Sequence, residues 1–332
     1  MNSEYVRKLQ ESATPIPTRE GVVSVILPFY RSFDVDKALM SVESAKAQQG
    51  AKLEIVVAEE NATPLLAGRL PKDIKYISRP PLNLMDQQYF RPGFVRNLAV
   101  SSSSGEFVYN NDGDILFQNP TFFRDLLEKM NKNPNLVLYQ PPMRRLPVEC
   151  LAEFKEMVEQ DGLLSAMDSL DKSQDFAVTT PNNKVVMRVF RKFEYGEERI
   201  FLYTAPDHKR YISDPNNRGK EPLFSTLHFH AGGILMRRSQ FDLVGGYSLG
   251  FGGWGCHDED IQWKLSEVFD LKRIPGEARF EIIHLDHERD YFDKDRWAKN
   301  REERTKRVKK GVIACAIEDI QELNKLTQNG TR

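Results

Sequence analysis

The chain has 332 residues, 40% of them hydrophobic, enough for one large or two ordinary domains around a sizeable core. Its 47 basic and 48 acidic residues leave a net charge of −1, which excludes a general polyanion-binding surface and, with it, nucleic acid as the main partner. The cysteines, Cys150, Cys256 and Cys315, are too far apart for a CxxC site or a disulfide framework, and no run approaches the roughly 18 apolar residues of a transmembrane segment, so the expectation is a cytoplasmic protein.

After a polar opening over residues 1–20 that holds one short helix, Val22-Val23-Ser24-Val25-Ile26-Leu27-Pro28 is a β-branched apolar run ended by proline, the mark of a buried parallel strand. A helix is predicted over 33–49, a second strand over 53–58 that runs into Glu59, Glu60 and Asn61, and a third strand over 74–78. Strand, helix, strand predicts an α/β fold with a mostly parallel sheet flanked by helices. Such sheets bind ligands beyond the carboxyl ends of their strands, which makes Pro28, Tyr30, Arg31, Glu59 and Glu60 candidates for a nucleotide site. No GxGxxG follows the first strand and no GxxxxGK[ST] occurs, so dinucleotide and P-loop modes are not supported.

A helix over 94–103 carries Arg96 and Asn97, and the strand over 106–111 stops at Asp112-Gly113-Asp114. Two carboxylates flanking a glycine at a strand end suit a hard divalent cation, Mg²⁺ or Mn²⁺, that also holds phosphate oxygens; the alternative is an ordinary Asp-Gly turn. A helix over 122–131 and a strand over 136–140 follow. Residues 141–227 read as an insertion or acceptor-facing subregion, with a helix over 148–159, a strand over 185–190 and a polar loop over 207–222.

All six histidines, His208, His228, His230, His257, His284 and His287, lie after residue 207. His228 and His230 alternate on a strand and share one face, as structural or functional groups alike. Gly232-Gly233 lets a backbone approach a ligand or merely packs a sheet. His284 and His287 follow an apolar strand over 280–283, and one of them would complete a Mn²⁺ site with Asp114, since imidazole suits that ion when carboxylates provide the rest.

Gly250-Phe251-Gly252-Gly253-Trp254-Gly255-Cys256-His257-Asp258-Glu259-Asp260 is a glycine loop with one aromatic that runs into a carboxylate cluster. Ile261, Leu265, Val268 and Phe269 make one helical stripe, so the acids sit at a helix start. Capping accounts for acids there, but not for the loop, which has the composition of a segment that closes over a ligand. The tail, dense in Lys and Arg from 297 to 310 and amphipathic from 312 to 326, reads as a solvated helix packed back on the domain, outside the site.

These clusters resemble glycosyltransferases of the GT-A fold, family 2 type, with a galactosyltransferase-like C-terminal segment. The likeness spans roughly 22–140 and 229–300. It rests on Phe94-Val95-Arg96-Asn97-Leu98-Ala99, Gly105-Glu106 leading to Asp112-Gly113-Asp114, Gly232-Gly233 with Gly245-Gly246-Tyr247, and Gly253-Trp254-Gly255 through Leu265. The resemblance implies a divalent metal on Asp112 and Asp114, with His284 as the last ligand and His287 as its competitor, gripping the diphosphate of a nucleotide-sugar donor, a UDP-sugar. It implies Asp258 as the base that activates an acceptor hydroxyl, with inversion at the sugar. Pro28, Tyr30, Arg31, Glu59, Glu60, Arg96, Asn97, Asp112, Gly233 and Trp254 then face the donor, and Trp254, His257 and Glu259 the acceptor, which is a glycan, lipid-linked, peptide or small molecule. Two departures stand out: Cys256-His257 replaces the family's Gly-Glu before the base, and Glu59-Glu60-Asn61 replaces its Asp-Asp-Gly-Ser type. The chain divides into an extension (1–20), a nucleotide-sugar half (21–140), the insertion (141–227), a catalytic half (228–297) and a helical tail (298–332). A retaining transferase, a metal-dependent nucleotidyltransferase or phosphoesterase, and an inactive sugar-binding module are the alternatives.

Overall fold

The computed structural model describes residues 3–14, 16–30, 34–81, 90–146, 148, 151–172, 175–179, 185–194, 197–204, 228–287 and 293–329. The expected polar loop over 207–222 lies outside them, as does Arg31. In chain order, α1 (Ser3–Gln10) precedes β1 (Arg19–Tyr30), α2 (Val35–Lys46), β2 (Lys52–Glu60), β3 (Lys75–Arg79), α3 (Pro92–Ser102), β4 (Gly105–Asn110), β5 (Ile115–Phe117), α4 (Phe122–Asn131), β6 (Leu136–Tyr139) and β7 (Pro142–Leu146). Helices α5 (Leu151–Asp161) and α6 (Leu163–Lys172) lead to β8 (Asp175–Thr179), β9 (Val185–Glu194) and β10 (Glu197–Thr204). The remainder is β11 (His228–Phe229), β12 (Ile234–Arg237), α7 (Arg238–Leu243), α8 (His257–Val268), β13 (Asp270–Arg273), β14 (Ile282–Leu285), α9 (Lys294–Lys310) and α10 (Val312–Asn329).

β1 is buried from Val22 to Tyr30, as an unalternating apolar run requires when both faces of a sheet are covered. It pairs in parallel with β2 and β4, and β2 pairs in parallel with β3. Beyond β4, β12 runs antiparallel to both β4 and β6, and β13 is parallel to β6. The result is a mixed seven-stranded sheet, mostly parallel, in the order β13-β6-β12-β4-β1-β2-β3. Alternate β1 side chains divide the core: Val23, Val25, Leu27 and Phe29 pack with α2 and α4, while Ile26 faces α3, α8 and α10. The first strand was expected to stop at Pro28, but it continues to Tyr30. Its β4 pairing ends at Ile26, so Pro28 keeps only the β2 neighbour, a position where a missing N–H is tolerated.

The strands expected at 228–230 and 280–283 appear as β11 and β14, but their pairing with the short β7 and β5 into a second sheet, β11-β7-β14-β5, was not foreseen. Behind it α5 and α6 contribute Leu151, Phe154, Leu163 and Met167 to a third apolar cluster with Leu116, Leu146, Ile283 and Leu285. β10, β9 and β8 form a separate antiparallel sheet. Among the described residues no helix is long and apolar enough to cross a membrane.

The C-terminal helices are tied in by charge as well as by apolar contact. Arg307 of α9 grips Asp260 of α8 with two hydrogen bonds, at 3.0 and 2.9 Å, and reaches Asp319 of α10 at 2.6 Å. Lys264 of α8 meets the same Asp319 at 2.5 Å and donates to the Gly246 carbonyl. All four side chains are buried, so each charge depends on the others. Arg307→Ala leaves Asp260 without its main cation and Asp319 with one; a loss of about 3–5 kcal/mol in unfolding free energy is expected by urea titration.

Candidate active site

Asp114 lies just before β5, and β5 pairs antiparallel with β14 in the register His284↔Ile115. The Leu285 amide donates to the Asp114 carbonyl at 2.9 Å, which brings His284 beside the carboxylate. His287, two residues past the strand, reaches the same atom. Its Nε2 lies 3.4 Å from Asp114 Oδ2, and that of His284 lies at 3.5 Å. One ligand atom from each of the three falls within 4.8 Å of the others. Asp114 is buried, and neither of its carboxylate oxygens accepts a hydrogen bond from a described residue. A buried carboxylate left so is costly, and an ion held there relieves that cost, so the group fits a divalent metal. Burial, then the neighbouring Asp112, pushes the Asp114 carboxyl well above its usual range. Burial, with Arg145 and His287, holds His284 well below the ordinary imidazole value, leaving a neutral ring with a lone pair. Sequence reading missed the surround: Lys37 of α2 donates to the Asp286 carbonyl at 2.6 Å, and Arg145 pairs with the Asp286 carboxylate at 3.0 Å.

Asp112 was expected as a second ligand, and the three-residue group does not include it. The Gly113–Asp114 turn separates the two carboxylates, and Arg96 captures Asp112 in a hydrogen-bonded ion pair. Arg96, on α3, is buried at 2% exposure and also stands 3.8 Å from Asp258 at the start of α8, so one guanidinium sits between the two acids. Burial disfavours its charge, yet Tyr247, Asp258 and Asp112 hold its pKa above normal. His230 completes this floor, with Nδ1 3.7 Å from Asp112 Oδ2; burial outweighs the pull of Asp112 and Asp258 and keeps the ring's pKa low. An added Cβ at Gly232 would come within 3.0 Å of Arg96 Nη2, 3.1 Å of His230 and 3.2 Å of Asp112. Among the described residues, Arg96 Nε and Nη1, His230 Nε2, Asp258 Oδ1, the Tyr247 hydroxyl and the Asn110 and Asn111 amides are buried without hydrogen-bond partners. Unmatched buried polar atoms on Arg96 and His230, both packed against Gly232, suit a polar ligand.

The acids at the α8 start do not cap it. Cys256 is the N-cap residue, in the left-handed region at φ 69°, and no side chain caps the helix. That backbone state costs a non-glycine residue about 1–3 kcal/mol and must be held by its surroundings. The three acids diverge: Asp258 faces Arg96, Glu259 is exposed, and Asp260 is buried against Arg307. His257 is buried with Nε2 3.3 Å from Asp258 Oδ2, and Trp254 is half exposed on the loop before it.

Other expected donor contacts are engaged within the protein. Glu59 accepts from Asn61 (2.5 Å), the Leu65 and Leu66 amides (2.6 and 3.1 Å) and the Tyr76 hydroxyl (2.5 Å). Glu60 pairs with Arg91 through side chain and backbone. Asn97 bonds the Tyr247 backbone twice, at 2.8 and 2.9 Å, and Gly233 faces Pro141. Pro28 and Tyr30 stay at the carboxyl end of β1, where Tyr30 stacks on Phe90 with ring centroids 3.6 Å apart.

No protein-family model matches the chain, and no curated protein does. Among solved structures, TarS 1–349 from S. aureus in complex with UDP aligns with a TM-score of 0.43 at 15% identity, covering 79% of this chain and 60% of that one. The mannosyltransferase PcManGT from Pyrobaculum calidifontis, in complex with GDP-Man and Mn²⁺, aligns with a TM-score of 0.45 at 13% identity, covering 98% and 79%. The chain thus spans 60% of the TarS fragment. At such scores these are likenesses in general layout alone.

By titration calorimetry, Asp114→Asn and His284→Ala are expected to weaken Mn²⁺ binding by more than about 100-fold, beyond the ~10–100-fold that outer groups cost, whereas Asp112→Asn stays within that lesser range. Because burial and Asp112 raise the Asp114 pKa, the ion competes with a proton there, so Mn²⁺ affinity is expected to rise with pH through the Asp114 titration, with proton release that shrinks as pH rises, read from two buffers of different ionisation enthalpy.

Proposed function

We propose that the chain is a metal-dependent glycosyltransferase of the GT-A type that moves a sugar from a UDP-sugar to a hydroxyl acceptor with inversion. The observation that carries this reading is the joining, through buried Arg96, of an acid beside the Asp114–His284–His287 group to an acid at a helix start. Displacement at a sugar carbon needs those two functions on opposite sides of one centre.

Asp114, His284 and His287 hold the ion, and two imidazoles in the set favour Mn²⁺ over Mg²⁺. When bound, the ion supplies charge to the leaving diphosphate, worth several kcal/mol. Asp112 is a sugar-facing group, positioned by Arg96 and His230. Asp258 takes the proton of the acceptor hydroxyl through Oδ1, which accepts no hydrogen bond from a described residue and lies 3.8 Å from Arg96 Nη1, as the acceptor oxygen bonds to the anomeric carbon. The bond from that carbon to phosphate breaks on the opposite face, the nucleoside diphosphate departs, and configuration inverts. The stacked Tyr30–Phe90 pair at the carboxyl end of β1 marks the nucleoside end, in place of the engaged Glu59 and Glu60. Trp254 covers the donor sugar and limits access of water.

The test is nucleoside diphosphate release from UDP-glucose, UDP-N-acetylglucosamine, UDP-galactose and GDP-mannose, with Mn²⁺ and with chelator. Mn²⁺-dependent release from one donor is expected, with slow hydrolysis standing in for transfer. Asp258→Asn should lower acceptor-dependent turnover by roughly 10²–10⁴-fold while Mn²⁺-dependent UDP binding persists. Asp114→Ala should abolish both. No release and no metal-dependent nucleotide binding would refute the reading, and an acceptor product with retained configuration would refute inversion.

A further inference from the structure

Helix α9 carries a residue that its ionic character does not explain. Asn300 is buried at 1% exposure, and its Nδ2 donates to three backbone carbonyls of one loop: Gly252 at 2.9 Å, Trp254 at 3.1 Å and Gly255 at 3.3 Å. Arg296, one turn earlier, donates from Nε to the Gly252 carbonyl at 3.0 Å. Trp297 lies against Gly255, where an added Cβ would come 2.9 Å from its ring. On its other side the loop is tied by the Gly253 amide, which donates to the Phe90 carbonyl at 2.6 Å.

One amide group has two hydrogens, so three carbonyls share them, and loss of that single group releases the Trp254 and Gly255 carbonyls and leaves Gly252 with Arg296. The loop requires such holding. Gly253, Gly255 and Cys256 all have positive φ, at 66°, 98° and 69°, a backbone course that no repeating hydrogen-bond pattern maintains. A relaxed loop would move Trp254 and disturb His257 and Asp258, which follow it directly.

We propose that Asn300 is a positioning residue: from α9 it gathers the 252–255 loop so that Trp254 covers the donor sugar, and so sets how much more tightly the protein holds a nucleotide sugar than the bare nucleoside diphosphate. This rests on the transferase reading above. The expectation that the tail lies outside the site is thereby replaced, since α9 forms the back of the loop.

The test uses Asn300→Asp, which keeps the side-chain shape without its N–H donors, beside Asn300→Ala. Hydrogen exchange of the 253–256 amides should quicken by at least about 10-fold, while the 261–268 amides of α8, which report folding, stay unchanged. With Mn²⁺ present, UDP affinity should hold within about 2-fold, and affinity for the UDP-sugar chosen by the release panel should fall by about 10-fold. Trp254→Ala should give the same selective loss, and the double variant no further loss, because both remove one interaction. Losses that add, equal losses for UDP and UDP-sugar, or unchanged loop exchange would each overturn the proposal. Wild-type binding is measured first, so absence of any nucleotide binding there marks failure of the transferase reading, which takes the covering role with it.

Discussion

Arg96 is a cation closed off from water, and it stays charged because Asp112 and Asp258 stand on either side of it. The guanidinium, buried where water cannot screen it, depends on the two acids for its charge. The two come from distant parts of the chain, one from the end of β4 and one from the start of α8. Their separation is therefore decided by a side chain on a third element, α3. That helix is in turn fixed by Asn97, whose amide engages the Tyr247 backbone in both directions. A residue pair adjacent in sequence thus does two tasks: Arg96 spaces the acids, and Asn97 stops Arg96 from drifting.

The Asp114–His284–His287 group has an independent foundation. Its geometry follows from the register between β5 and β14, and the β-ladder places His284 opposite Ile115 whatever happens at Arg96. The mostly parallel sheet leads from β4 to Asp112, and the smaller sheet carries His284 beside Asp114. Asp112 and Asp114, two residues apart across a turn, are where the systems meet. Each belongs to one of them, which is why a motif that reads as a matched pair separates into a member of the Asp–His–His group and a partner of arginine.

The parts legible in the sequence were those governed by local pattern or by chemistry needing few neighbours. The apolar run of β1, the acids at the α8 start and the histidines near Asp114 could all be read from a short window. What stayed hidden depended on partners far along the chain. Glu59 and Asn97 have the right chemistry for a ligand, and only the folded chain reveals that Tyr76 and Tyr247 already engage them. Gly232 and Gly233 are indistinguishable as letters, yet one packs against Arg96, His230 and Asp112 and the other against Pro141. Nothing in a run of mixed charges sets Arg307 apart from Arg301, or marks Asn300 as more than a polar position on a solvated helix.

The chain order of these devices has a consequence for synthesis. Asp114, His284 and His287 are all translated before α9, so this group is complete in sequence before Asn300 and Arg307 exist. Domains are built from the amino end as the nascent chain emerges, at roughly 5–20 residues per second. For the interval before α9 emerges, Asp260 has no buried cation to receive it and the 252–255 loop has nothing behind it. A product terminated in that interval keeps Asp114, His284 and His287 yet lacks the counter-charge that lets α8 bury, and so presents an unsealed core to proteases.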